Sequence, residues 1–287
     1  MSKIKRTSVR RHKKTTARFP TVIFTLFGVY IIPRGGRVRV SDLIELVRPL
    51  GFSPNAIRLG LSRMARRGVF RVHKRGRYSH YSLSRRGMKF METGRVRAFD
   101  LEHKKWDGKW RLIAYRVPEA LRGLRDEFRE KLQSLGFANL SASVWISPRS
   151  FRSEIISFVK RHKMTEYVET FEADYNGLRR PRDFAAALWA IGDLENRYQA
   201  YIDKYAALRS EFTRSARKGD HVEGAACFAD RFCLTAEYVA LRLDDPMLPL
   251  ELLPAGWVGV RAKRLHDDMW SILEPAAGKF IDSVLRK

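Results

Sequence analysis

The chain has 287 residues, a hydrophobic fraction of 45% and a formal net charge of +25. With 11% aromatic residues and only two cysteines, it is neither a disordered chain nor a disulfide scaffold. The first 99 residues hold 25 Lys and Arg against three acids, Asp42, Glu45 and Glu92, whereas residues 100–287 hold 31 basic residues against 28 acidic ones. A positive surplus confined to one segment points to a polyanion as its partner, either a nucleic acid or an anionic membrane surface.

Residues 1–18 are basic with almost no apolar content and read as a disordered tail. The tail is expected to be a minor-groove or backbone-wrapping arm, or else a generic basic extension. The apolar run Val22–Ile32 follows it and mimics a signal peptide, but no A-x-A-like site comes after it and it is too short to span a bilayer. The expectation is a buried first helix over 20–32, ended by Pro33 and Gly35-Gly36, in a cytoplasmic protein with no membrane partner. Val38–Val40 reads as a short strand. Ser41 is placed as the N-cap of a second helix, with Asp42 and Glu45 near its positive end and Gly51 at its close.

Ser53-Pro54 is a strong start signal for a third helix, a capping hydroxyl followed by proline at the first helical position, and Gly68 is its stop. Ile57, Leu61 and Met64 recur with helical spacing and form its inward face. The opposite face carries Asn55, Arg58, Leu59, Ser62, Arg63 and Arg66, with Arg67 just beyond. Val69–His73 and Tyr78–Leu83 then alternate as strands around Lys74-Arg75-Gly76-Arg77, a hairpin with a cationic tip. Ser84 opens a connecting helix that runs to about Phe99.

Three short helices followed by such a hairpin make a winged helix-turn-helix pattern. The third helix is expected in the major groove of duplex DNA and the wing against the backbone or minor groove. Arg can chelate guanine, Asn can read adenine and Ser can meet a base edge or a phosphate. Lys74, Arg75, Arg77 and Tyr78 form the wing, whose cations neutralise phosphates.

The composition changes after residue 100. Trp110–Tyr115 reads as a strand, Pro118–Leu135 as a helix stopped by Gly136, Ser141–Ser147 as a second strand, Phe151–His162 as a second helix and Tyr167–Tyr175 as a third strand. This order suggests a small ferredoxin-like α+β domain. The remainder reads as helical: Phe184–Phe212 as one long helix or a pair, Cys227–Leu243 as another, and Val260–Val284 as a last helix broken at Pro275. The fold class is therefore α+β and multidomain, divided at 1–18, 19–99, 100–176 and 177–287.

No catalytic, metal or cofactor site is expected. Asp126, Glu127 and Glu130 alternate with Arg122, Arg125 and Arg129 and read as surface ion pairs. His221, His266, Asp267 and Asp268 fit no metal-site spacing and read as a solvated face, and Cys227 and Cys233 read as small apolar residues of a reduced protein. Trp189, Tyr198, Tyr201 and Tyr205 lie near helical spacing, which suits a core or dimer face or an aromatic-lined effector pocket formed by Trp189, Tyr198 and Tyr201.

Four stretches in order carry a resemblance to a known family. They are Thr25–Tyr30 with Pro33-Arg34-Gly35-Gly36, Ala56-Ile57-Arg58 through Ser62–Gly68, Trp106–Leu112, and Asp245–Pro249 with Leu252-Leu253-Pro254 and Trp257. Over about residues 19–275 the chain resembles the PaaX family, bacterial repressors of phenylacetate-degradation operons. The resemblance implies a winged helix, a middle domain similar to the Cas2 nucleases and a helical C-terminal domain. It also implies a homodimer on an inverted repeat, released by an aryl-CoA thioester. On this resemblance the DNA-reading helix maps onto Ser53–Arg67 and the wing onto Val69–Leu83. The first-strand acid of the Cas2 type falls at Arg116, so catalysis is not carried over. The rival readings are a metal-dependent nuclease using the middle domain and an architectural DNA-binding protein with no effector.

Overall fold

A computed structural model describes residues 19–100, 102–218 and 223–285, apart from the side chain of Ala216. The basic tail and His221 lie outside these residues. The chain divides into two compact units.

The first unit begins with α1 (Phe19–Leu26), whose helical backbone continues through a π-helical turn at Phe27–Ile31 and a 3-10 turn at Ile32–Arg34. Then come β1 (Arg37–Arg39), α2 (Val40–Val47) and α3 (Pro54–Arg66). The hairpin β2 (Phe70–Arg75) and β3 (Tyr78–Leu83) and the helix α4 (Arg85–Arg95) follow. The three strands form one antiparallel sheet in the order β1-β3-β2. Val22, Ile23, Leu26, Phe27, Leu43 and Ile57 are fully buried beneath it, and Phe70 on β2 meets Phe27 at 4.9 Å between ring centres.

Ser53 accepts a hydrogen bond from the Ala56 N–H at 3.2 Å and Pro54 occupies the first turn, so α3 starts where its cap signal places it. Ser41 is not a cap. Helix α2 begins at Val40 with Arg39 extended before it, and the Ser41 hydroxyl donates to the Asp42 carboxylate at 2.9 Å. Arg39 Nε donates to the same carboxylate at 3.1 Å, so Asp42 works inside the first turn as an ion-pair partner.

The second unit holds β4 (Trp110–Tyr115), α5 (Arg122–Ser134), β5 (Ala138–Ser141), β6 (Val144–Ser147), α6 (Arg152–Arg161) and β7 (Val168–Ala173). This is the β-α-β-β-α-β order of a ferredoxin-like unit. Its sheet is antiparallel throughout, in the order β5-β6-β4-β7. Ile113, Tyr115 and Trp145 on one sheet face pack against Phe128 and Leu132 of α5 and Phe158 of α6. One expectation is corrected here. Ser141–Ser147 is not a single strand, because the chain turns at residues 142–143 and Ala138–Ser141 pairs back as β5.

The helical region resolves into α7 (Pro181–Leu188), α8 (Ile191–Arg217), α9 (Gly224–Asp244) and α10 (Val258–Leu285). Ala190, at φ 46°, is the joint between α7 and α8. The expected break at Pro275 does not occur, and α10 runs through it. Met269 and Leu273 before the proline and Ala277, Ile281 and Val284 after it stay buried on one continuous face. That burial outweighs the missing backbone hydrogen bond. The two units share these helices: residues 201–242 and 262–287 belong to the first, and residues 101–200 and 243–261 to the second.

Within the first unit, Tyr30 is buried against Phe228 of α9 and Trp270 of α10. Arg231 is also buried. Its guanidinium lies 3.3 Å over the Trp270 ring centre and 5.8 Å from that of Tyr30, and it is paired with Glu274. Arg34 reaches Asp282 at 3.0 Å, and Arg242 Nε donates to the Ala98 carbonyl at 2.9 Å.

The hairpin is fixed at its base by Ser84. Its hydroxyl donates to the Gly68 carbonyl at 2.6 Å and accepts from the Gly87 N–H at 3.1 Å, and its N–H donates to the Val69 carbonyl. A β-carbon on Gly87 would stand 2.3 Å from that Val69 carbonyl oxygen, whereas one on Gly94 of the same helix would meet nothing within 4 Å. Gly87→Ala is expected to destabilise the protein by about 1–3 kcal/mol. Gly94→Ala is expected to be neutral or stabilising by up to about 0.5–1 kcal/mol. Thermal unfolding of both variants checks the contrast.

Candidate nucleic-acid interface

Helix α3 divides cleanly into two faces. Ile57, Gly60, Leu61 and Met64 are buried, and a β-carbon on Gly60 would collide with the Phe19 ring, so α3 lies close against α1. Asn55, Arg58, Leu59, Ser62, Arg63 and Arg66 are all exposed, as is Arg67 after the helix. Leu59 is 65% exposed, a large apolar side chain set among cations. The Asn55 side-chain oxygen accepts from Arg58 at 3.5 Å. Among the described residues none of Arg58, Arg63, Arg66 and Arg67 has a carboxylate partner.

The hairpin turn consists of Gly76 and Arg77 alone, with Arg75 paired to Tyr78 across it. Gly76 sits at φ +59°, the left-handed backbone that a two-residue turn with Gly first requires. Lys74, Arg75, Arg77 and Tyr78 are exposed around it. Arg77 Nε donates to the Tyr78 hydroxyl at 3.0 Å, and the guanidinium groups of Arg77 and Arg39 lie 5.1 and 5.2 Å from the Tyr78 ring centre. The tip is thus a stiffened cationic surface built around one aromatic ring.

Three family models match the chain in order. They are the PaaX-like protein model over residues 18–87, the PaaX protein central Cas2-like domain over 103–185 and the PaaX-like protein C-terminal domain over 189–283. The Transcriptional repressor PaaX of Escherichia coli (strain K12) is 28% identical over 265 residues, which is 91% of this chain and 82% of that protein. The chain belongs to the PaaX family. In fold it is also similar to the solved structure of an uncharacterized protein from Mycobacterium tuberculosis. That match has a TM-score of 0.59 at 20% identity and covers 92% of this chain and 97% of the other.

The central domain carries the family's Cas2-like fold, and Arg116 at the end of β4 is exposed with its backbone N–H donating to the Tyr167 carbonyl. Among the described residues, no three His, Cys, Asp or Glu side chains gather as a metal site. Asp126 stands beside Arg122 and Arg125. His266 is not on a solvated face. It is buried against Tyr238 at 4.5 Å between rings, and that burial pulls its pKa below the usual histidine range, while Asp267 is held by Lys263 at 2.7 Å. Cys227 is buried and free, and burial pushes its thiol up to about 11.

Trp189, Tyr198 and Tyr201, the residues expected to line an aromatic effector pocket, each have an internal partner. Trp189 stacks on Trp110 and donates to the Gly136 carbonyl at 3.0 Å. Tyr198 is fully buried, donates to Asp245 at 2.9 Å and meets Trp257 edge-on. Tyr201 is buried and donates to the Leu234 carbonyl at 3.2 Å. Their polar atoms are used internally; the rings of Tyr198 and Tyr201 are core and that of Trp189 is half-buried.

A cleft that sequence reading missed opens along the last turns of α8. It has a volume of about 410 Å³ and is lined by Arg209, Ser210, Thr213, Arg214, Arg217 and Lys218. A step of four residues along one helix face, at 209, 213 and 217 and again at 210, 214 and 218, was the available signal, hidden because the C-terminal region as a whole is nearly neutral, with 17 basic and 16 acidic residues over 177–287.

Asp245 is buried and accepts from both the Tyr198 hydroxyl and the Met247 N–H. Tyr198→Phe leaves a carboxylate oxygen without its donor and is expected to cost about 1–3 kcal/mol, read from the denaturant midpoint. A side chain facing an open pocket would instead be nearly silent in that measurement.

Proposed function

We propose that the chain is a DNA-binding transcriptional regulator that acts as a repressor, with residues 19–99 as a winged helix-turn-helix domain. The observation that carries this reading is the unneutralised exposed face of α3 next to a cationic two-residue hairpin tip. An α-helix fits the major groove, which is about 12 Å wide. Arg58 and Arg63 then address guanine edges, Asn55 an adenine, Ser62 a base edge or phosphate, and Leu59 a thymine methyl group. Arg66, Arg67 and the wing residues Lys74, Arg75, Arg77 and Tyr78 hold the backbone.

In this reading two subunits bind an inverted repeat as a homodimer, residues 100–176 serve as a non-catalytic Cas2-like scaffold, and residues 177–287 pair subunits and sense an aryl-CoA thioester. The relative named a transcriptional repressor supports the direction of regulation.

Selection of bound sequences from random duplex DNA is expected to return one preferred inverted repeat. Arg58→Ala is expected to cost about 1–3 kcal/mol on that repeat and to relax selectivity at one base pair. Arg75→Ala is expected to weaken all sequences and to lower the salt slope by about one. Equal losses on every duplex for both variants, with no selected sequence, would establish an architectural protein instead.

In this reading the effector binds along the cationic face of α8, where Arg214, Arg217 and Lys218 have no carboxylate partner among the described residues and suit the phosphates of a CoA ester. R214Q/R217Q is expected to weaken binding of an aryl-CoA thioester at least tenfold (~1.4 kcal/mol), measured by calorimetry, while leaving operator affinity without ligand unchanged.

A further inference from the structure

The outward face of the three-stranded sheet is a second cationic surface that no motif announces. Residues opposite one another in an antiparallel ladder share a face, and every second residue returns to it. Arg37, Ser82 and Arg71 form one row across β1, β3 and β2. Arg39, His80 and His73 form the next. Tyr78 and Arg75 end the series at the hairpin tip. The opposite parity holds Val38, Tyr81, Val72, Phe70 and Leu83; Val38, Phe70 and Leu83 are buried there, while Val72 towards the hairpin tip is exposed.

Charge on this face is left uncompensated. Arg39 is paired with Asp42, but among the described residues Arg37, Arg71 and Arg75 have no carboxylate partner. Cations on an edge strand have a simpler use, since they discourage strand addition. That use does not account for the central strand β3, which places Ser82, His80 and Tyr78 between the arginine rows. His73 Nε2 and Ser82 Oγ lie 3.1 Å apart, so this middle zone is a hydrogen-bonding platform. Rows about 7 Å apart, with outer strands roughly 10 Å apart, give a patch of cations and donors without base-reading geometry.

The geometry points to this sheet face as a phosphodiester-backbone site, extending the wing's contact with duplex DNA from the hairpin tip down to Arg37 and Arg71. The inference rests on the DNA-binding reading above. The choice of duplex follows from continuity: Arg75 and Tyr78 belong both to the tip and to this face, and Arg39 reaches the Tyr78 ring from β1.

The test uses the full chain and anisotropy titration of a labelled random-sequence duplex over a range of salt concentrations. R37Q/R71Q is expected to lower the slope of log affinity against log salt by about two on every duplex, with unchanged sequence preference. R37K/R71K, which alters shape but keeps charge, is expected to retain the wild-type slope. Equal slopes for the glutamine and lysine pairs overturn the inference, whether or not either pair is less stable. It is overturned equally if the glutamine pair loses affinity only for single-stranded RNA or anionic vesicles. A wild-type chain that ignores duplexes sinks the functional reading itself. Normal duplex binding with Arg58→Ala weakened and R37Q/R71Q unaffected sinks only the sheet site.

Discussion

Uncompensated positive charge is the constraint around which the first unit is arranged. Residues 19–99 carry 17 Lys and Arg against three acids, and two of those acids are spent locally, Asp42 on Arg39 and Glu92 on Arg95. Mutual repulsion on so small a body disfavours the compact state. The unit answers with an apolar interior, to which α1, α2 and α3 contribute fully buried Val, Ile and Leu side chains and the π-helical turn contributes Phe27, and with cations held at the surface. The same distribution leaves a field that a polyanion neutralises on arrival. Stability and surface charge are therefore opposed in this segment: an acid placed among the arginines of α3 would relieve the repulsion and weaken the positive field.

Arg231 is the exception to that outward rule. It lies inside the first unit, covered by Trp270 and Tyr30, with desolvation drawing its pKa down and Glu274 as its ion-pair partner. The Tyr30 hydroxyl is buried beside it without a hydrogen-bond partner among the described residues, and burial pushes that phenol far above its usual range. A buried guanidinium tolerates little displacement, because losing its aromatic and carboxylate neighbours leaves a bare charge in a low dielectric. The turn carrying Tyr30 follows directly on α1, the helix against which α3 rests through Gly60. The C-terminal helices α9 and α10 are thus part of the support of the helix that carries the exposed arginine face.

Local chemistry made α3 and the hairpin legible in the sequence. Ser53-Pro54, the Ile57–Leu61–Met64 spacing, Gly68 and the alternation of Tyr78–Leu83 each state a backbone geometry within a few residues. The β-α-β-α-β framework of the central domain was legible for the same reason. Strand β5 was not, since Ala138-Asn139-Leu140-Ser141 is only four residues long and holds no β-branched or aromatic side chain, and it pairs as a strand along the ladder that β6 offers. Pro275 reads as a breaker because the penalty is local, while the burial that offsets it is supplied by the rest of the unit. His266 sits in a polar run, yet the ring faces Tyr238 and Phe99, which come from other elements, as well as Trp270 one turn further along α10. In the aromatic series the spacing was correct, but its meaning depended on Asp245 and the Leu234 carbonyl, distant in sequence, which use up the tyrosine hydroxyls.

The cationic sheet face belongs to the same class of hidden feature. Arg37 and Arg71 are far apart along the chain, and nothing in either neighbourhood says that Ser82 lies between them. Only the register does, through Arg37 opposite Ser82 and Ser82 opposite Arg71. A slip of one residue would carry the arginines into the core and Val38 and Phe70 out to solvent. Burial of those two side chains therefore fixes which parity faces outward. The apolar positions that hold the sheet to α1 and α2 are the same constraint that lines up its cations, so packing of the inner face determines the electrostatics of the outer one.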